Sequence, residues 1–169
     1  IQEMHQHGIV VGIGTDGVKE NNNLDMLEEM KFVPLLQKVK HYDATLLKAE
    51  KVIRMATIDG ARALGLEREI GSIEIGKKAD IITVDFRKLH LTPTLTDSYA
   101  NITSNLVYAA QGNDVQNVWI DGKLIMENRK LLTIDEEKAR VGGQIAAEQL
   151  LARREAFIPK EYQFQGEKL

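Results

Sequence analysis

Hydrophobic and polar positions follow two regimes along this chain, a helical one and then a β-rich one. The run Ile9-Val10-Val11-Gly12-Ile13-Gly14-Thr15 is apolar throughout and ends abruptly on Asp16. A run that is apolar on both faces is the habit of strands inside α/β sheets, so residues 9–15 are predicted as a buried strand. Residues 1–8 read as the tail of a helix stopped at Gly8. After a polar loop holding Asn21, Asn22 and Asn23, the apolar residues Leu24, Leu27, Met30, Phe32, Val33, Leu36 and Val39 recur at helical spacing. Pro34 falls inside that pattern and predicts a kink or a break. Asp43 is placed to cap a second helix, with Leu46, Ala49, Val52, Ile53 and Ala56 on one face. Thr57 is placed to cap a third, which Gly65 ends.

Beyond residues 65–71 the period changes. Residues 70–76 and 79–86 are short β-branched runs around a Gly76-Lys77-Lys78 turn. A short helix is expected near 101–110. Two further strands, 115–120 and 123–126, flank Asp121-Gly122, a strong hairpin signal. Thr133 and Glu136 have capping-box spacing and open a long helix to about residue 154, with a bend expected at Gly142-Gly143. This organisation gives an α/β part over 1–66 and a β-rich part with a terminal helix over 67–169.

Composition adds exclusions. With 169 residues, 43% of them hydrophobic, the chain can bury one real core. A net charge of -3 leaves no basic footprint, so nucleic acid is not expected as a partner. No apolar run reaches the roughly 20 residues that span a bilayer, so no membrane partner is expected either. The absence of cysteine fits a reducing compartment, and a cytoplasmic location is expected.

Asp16 is the first candidate for chemistry, because a carboxylate at the C-terminal end of a buried strand sits where barrel enzymes keep their catalytic groups. Its bland readings are a turn former or a helix N-cap. Gly12-x-Gly14-x-x-Gly17 has the spacing of a dinucleotide fingerprint. The glycine loop does not lead straight into a helix, however, and Leu35 and Leu36 lie where an acidic residue ending a second strand is required. His5 and His7 form an HxH pair, but on a helix they point roughly 200° apart and read as surface residues. His41 and His90 are isolated and read the same way. Asp80 reads as the opener of a strand.

Several segments in register resemble the amidohydrolase superfamily, in its deaminase and chlorohydrolase branch. They are Thr15-Asp16-Gly17 with Asn22-Asn23-Leu24-Asp25-Met26, the segment 54–65, the segment 71–80, Val107-Tyr108-Ala109-Ala110, and 118–123. The resemblance implies a fold of α/β plus β class: the last β/α unit of a metal-dependent hydrolase (β/α)8 barrel, then a small composite β-sandwich domain and a C-terminal helix. It implies that Asp16 is both a catalytic residue and a metal ligand. The implied cofactor is a divalent metal, zinc or else iron, in the full-length enzyme, with none bound stoichiometrically by this portion alone. The implied reaction is hydrolytic deamination of an aminated purine- or triazine-like ring, so the partner is a small-molecule heterocyclic amine. The histidine ligands of the family belong to earlier strands. This chain therefore reads as a C-terminal portion, expected to self-associate or to pair with the missing N-terminal part. The alternatives are a noncatalytic structural or association domain and, less favoured, nucleotide binding through Gly12, Gly14 and Gly17.

Overall fold

The computed structural model describes residues 1–157. Contacts divide the chain into two units, Ile1–Lys130 and Leu131–Leu169.

The first unit opens with helix α1 (Gln2–Gln6). Gly8, at φ 71°, ends it in a Schellman arrangement: Gly8 N donates to His5 O and Ile9 N to Met4 O, each at 3.0 Å. The chain then runs extended to Asp16. The expectation of a strand buried on both faces is corrected here. Among the described residues no strand pairs with this segment, and Ile9 and Val10 are 48% and 47% exposed. Burial of such a run requires neighbouring strands on both edges and layers on both faces, and the described residues provide neither. Val11 and Ile13 alone turn inward onto the core, and Ile13 N donates to Met55 O at 3.1 Å.

After the four-residue helix α2 (Val18–Asn21), the long helix α3 (Met26–His41) starts on Asp25. The Asp25 carboxylate accepts from Leu27 N at 2.9 Å and Glu28 N at 3.4 Å. Pro34 does not break this helix. Its side chain is fully buried, and that packing offsets the one backbone bond proline cannot make. Asp43 caps no helix. It closes a turn by accepting from Thr45 N (2.8 Å) and Thr45 Oγ1 (2.7 Å), and helix α4 (Ala49–Ala56) begins later without a side-chain cap. α4 buries Ala49, Val52 and Met55 at helical spacing. Helix α5 (Ile58–Ala63) follows at once. The Thr57 hydroxyl donates back to Ile53 O instead of capping it, and Gly65 ends it at φ 73°.

One hydrophobic core joins these helices to α6 (Ile102–Tyr108) and to the single turn at Leu89–Leu91. Met30, Val52, Met55, Leu91 and Val107 form its centre. The sheet is open and four-stranded, in the order β1 (Ile81–Val84), β2 (Val115–Ile120), β3 (Lys123–Glu127) and β4 (Lys130–Leu131). β1/β2 and β2/β3 are antiparallel, with Ile82 opposite Val118 and Trp119 opposite Leu124. The expected strand at 70–76 is absent: that segment is turn, with Ile73 and Ile75 fully out in solvent. A β-branched run becomes a strand only when an edge is available to it, and none reaches these residues.

The hairpin matches its sequence signal. Asp121 (φ 50°) and Gly122 (φ 76°) both lie at positive φ, as a type I′ turn requires, and Asp121 N donates to Asp80 Oδ1 at 2.7 Å. Gly122→Val puts a β-branched side chain at that φ and is expected to lower stability by about 1–3 kcal/mol. A urea titration with an unchanged midpoint would show that the turn carries no such strain.

In the second unit, helix α7 (Glu136–Phe157) runs through Gly142-Gly143 without interruption. Its cap is Asp135, whose Oδ1 accepts from Lys138 N at 3.0 Å, so the box expected from Thr133 and Glu136 is not the one formed. A shorter acidic side chain one residue before the helix reaches the third amide directly. Residues 158–169, which the reading 67–169 includes, lie outside the described residues. No described helix is long and apolar enough to cross a membrane.

Candidate functional site

Asp16 sits where the extended segment 9–15 turns into the loop before α2. Its φ is 58°, in the left-handed region, and its carboxylate is exposed, with Oδ1 accepting from Gly17 N at 2.8 Å. Left-handed backbone at a non-glycine residue is uncommon. It is tolerated best by Asp and Asn, and it clusters at functional positions.

The loop that follows is tightly organised. Gly17 is the extended N-cap of α2, and Asn22 (φ 62°) closes that helix in the left-handed region. The Asn21 side-chain amide donates to Thr15 O at 2.8 Å and to Glu29 Oε1 at 2.6 Å, while Asn23 Nδ2 donates to Glu28. Asp25, besides capping α3, accepts from Gly112 N at 2.9 Å through Oδ2.

The structure separates Asn21 from Asn23, with Asn22 closing α2 between them. Asn21 is tied to the Asp16 turn. Asn23 lines an apolar cleft of about 850 Å³ together with Leu24, Met30, Phe86, Leu106 and Val118. Asp16 lines none of the described cavities. A second cavity of about 730 Å³ lies around Gly12, Gly14, Gly60, Gly71 and Ile82.

One glycine of the pattern, Gly12, has a packing explanation, whereas a Cβ on Gly14 would meet nothing within 4 Å. A Cβ on Gly12 would stand 2.9 Å from Gly60 Cα, so the extended segment and α5 touch backbone to backbone there. The expectation that no helix follows the glycine loop directly is corrected, because Gly17 caps α2, but that four-residue helix is too short to present the helix terminus on which a pyrophosphate is held. The histidines behave differently from one another. His7 is exposed. His5 is half-buried, with a buried Nε2 that has no hydrogen-bond partner, which corrects its reading as a surface residue. Burial, the nearby Lys51 charge and the N-terminal amine lower its pKa, against an opposing effect of Asp59. Among the described residues no group of three His, Cys, Asp or Glu side chains could hold a metal. A metal at Asp16 would find one ligand here, whereas catalytic sites take about three.

Two buried carboxylates escaped the sequence reading. Asp59, 4% exposed, accepts from Lys51 Nζ at 2.8 Å, Arg54 at 3.3 Å and Arg62 at 3.4 Å. Asp114, 1% exposed, meets Lys88 Nζ and His90 Nε2 at 2.9 Å and the Gln111 amide at 2.8 Å. His90 is therefore not isolated. Arg62 three residues after Asp59 was the one local clue, since that spacing faces charges together on a helix.

Burial raises the pKa of both carboxylates, but their hydrogen bonds and cationic neighbours outweigh it, and both lie below the ordinary 3.8. A depressed folded-state pKa contributes stability that is fully present above the unfolded value and is lost as pH falls through the folded one. Stability of the chain is expected to drop as pH is lowered below about 4, the value of a free aspartate. The Asp59→Asn/Asp114→Asn variant should show a shallower drop in acid urea titrations. Superimposable acid limbs would show that these pairs contribute nothing to it.

Comparison with known proteins places the chain in a family. The profile of the amidohydrolase family matches residues 1–125. A 5'-deoxyadenosine deaminase of Methanosarcina acetivorans is 46% identical over 156 residues, covering 92% of this chain and 34% of that protein. A 5-methylthioadenosine/S-adenosylhomocysteine deaminase of Thermoanaerobacter pseudethanolicus is 45% identical over 153 residues, again 34% of its length. The crystal structure of an adenosine deaminase from Xanthomonas campestris with bound zinc superposes with a TM-score of 0.82 at 36% identity, over 88% of this chain and 33% of that one. The chain thus spans about a third of the length of the curated relatives it matches.

Proposed function

The chain belongs to the amidohydrolase family, and we propose that it is the C-terminal portion of a metal-dependent hydrolase that deaminates an aminated purine. The observation that carries this reading is the 45–46% identity to deaminases of adenosine-type compounds over about nine-tenths of the chain. Asp16, left-handed at the end of an extended segment, supports it from geometry. On this reading residues 1–66 are the end of a (β/α)8 barrel, and residues 67–169 contribute to a composite β-sandwich. The open sheet and the unpaired extended segment are consistent with elements completed by other strands.

In that enzyme the Asp16 carboxylate would be one ligand of a divalent cation, zinc in the first instance and iron in the second, with histidines from earlier strands as the others. When bound, such a cation would supply a water of lowered pKa, around 7, as the nucleophile. Asp16 has one oxygen held by the Gly17 amide and keeps its carboxylate exposed, so it can take a proton and return it to the leaving nitrogen. The net change is water in and ammonia out, with a ring carbonyl replacing the amine. A purine is favoured over a triazine because the relatives sharing 45–46% identity carry adenosine-type names. The isolated chain supplies one ligand and turns over nothing. Its exposed Ile9 and Val10 fit pairing with the remainder of the enzyme or self-association.

The test is ammonia release by the full-length polypeptide, loaded with zinc, from 5'-deoxyadenosine and from an amino-triazine. Turnover of the nucleoside is the expected result. A folded, metal-loaded enzyme that releases ammonia from neither would overturn the reading.

A further inference from the structure

The backbone of Asp16 is left-handed, and besides the Gly17 amide bond to its own carboxylate a second residue fixes the peptide before it. φ at Asp16 sets how the Thr15–Asp16 peptide plane is turned against the Asp16 Cα. The carbonyl of that plane, Thr15 O, accepts from Asn21 Nδ2 at 2.8 Å. The same nitrogen donates its second hydrogen to Glu29 Oε1 at 2.6 Å. Both partners are acceptors only, so the amide end of Asn21 must be the one that faces them, and its orientation is fixed by two bonds at once. Glu29 stands in the first turns of α3, whose start is anchored by Asp25, so the chain of contacts runs from a rigid helix to the peptide before Asp16.

We propose that Asn21 and Glu29 are a positioning pair for Asp16: Glu29 orients the Asn21 amide, and Asn21 clamps the Thr15 carbonyl so that Asp16 stays at positive φ. The role of Asp16 rests on the deaminase reading above, whereas the clamp itself does not. Without the clamp, the peptide rotates and Asp16 relaxes to the ordinary negative-φ region, which swings the carboxylate away from its place. Glu29→Gln keeps an oxygen acceptor and so preserves the clamp. Asn21→Ala and Glu29→Ala do not.

The first measurement is the sign of φ at Asp16, read from backbone NMR couplings and shifts in this chain. It is expected to be positive in the unmodified chain and in Glu29→Gln, and negative or averaged in Asn21→Ala and Glu29→Ala. A positive φ retained in both alanine variants would overturn the proposal. If Asn21→Ala does not fold, the Glu29→Gln and Glu29→Ala comparison decides alone. The second measurement is kinetic, in the full-length enzyme. Asn21→Ala should lower kcat about 10- to 100-fold, as loss of a group supporting a metal ligand does, with KM changed less. Full activity in Asn21→Ala beside an inactive Asp16→Asn would overturn the clamp and leave the deaminase reading standing. An active Asp16→Asn would overturn that reading, while the NMR result would still judge the clamp.

Discussion

Asp16→Asn in the full-length enzyme is expected to lower kcat by about 10²–10⁴-fold with zinc supplied in excess, the usual cost of losing a positioned acid–base group. The substitution is nearly isosteric and asparagine also tolerates left-handed backbone, so the turn at φ 58° and the Gly17 amide bond to the side-chain oxygen should both survive. What is lost is the negative charge and the basic oxygen. Weaker metal retention would add to the loss, and excess zinc separates the two effects. Activity within a fewfold of the unmodified enzyme would mean that Asp16 is only a turn former.

Gly71→Ala is expected to lower the stability of the chain by about 2–5 kcal/mol, the sum of a left-handed backbone cost and overpacking. Gly71 sits at φ 89°, and a Cβ there would lie 2.7 Å from Ala61 Cβ, 2.9 Å from Ile58 Cα and 3.2 Å from Thr57 O. Two of those three are backbone atoms, which cannot swing aside as the end of a long side chain can. Gly76 is the control: its φ is 93°, but nothing lies within 4 Å of the added carbon. Gly76→Ala should therefore show the backbone cost alone, about 1–2 kcal/mol. Equal losses at the two positions in urea unfolding would show that the contact between residue 71 and α5 is not tight.

Several features were legible in the chain itself, and they share a short range. Gly8 and Gly65 stop helices because only a few local carbonyls need the left-handed turn. Asp121-Gly122 specifies its hairpin within two residues. Asp16 could be singled out because an apolar run ending on a carboxylate is visible in the sequence itself. The misplaced caps, Asp43, Thr57 and Thr133, fail for a related reason. Several Ser, Thr and Asp residues lie near each helix start, and which of them meets a free amide depends on how the chain enters the helix.

The family, the helical period of α3 and α4, the hairpin and Asp16 as the residue to test could all be read from the order of residues. Tertiary structure alone decided that Gly12 packs on Gly60, that Asp59 and Asp114 gather cations, and that residues 9–15 lie unpaired instead of buried. It also decided that Asn21, and not its neighbours, reaches the Asp16 turn. The physical reason is the reach of the interactions: caps and turns are set by residues within about four positions of each other. Burial, charge pairing and close backbone approach depend on groups that the sequence separates and only the folded chain brings together.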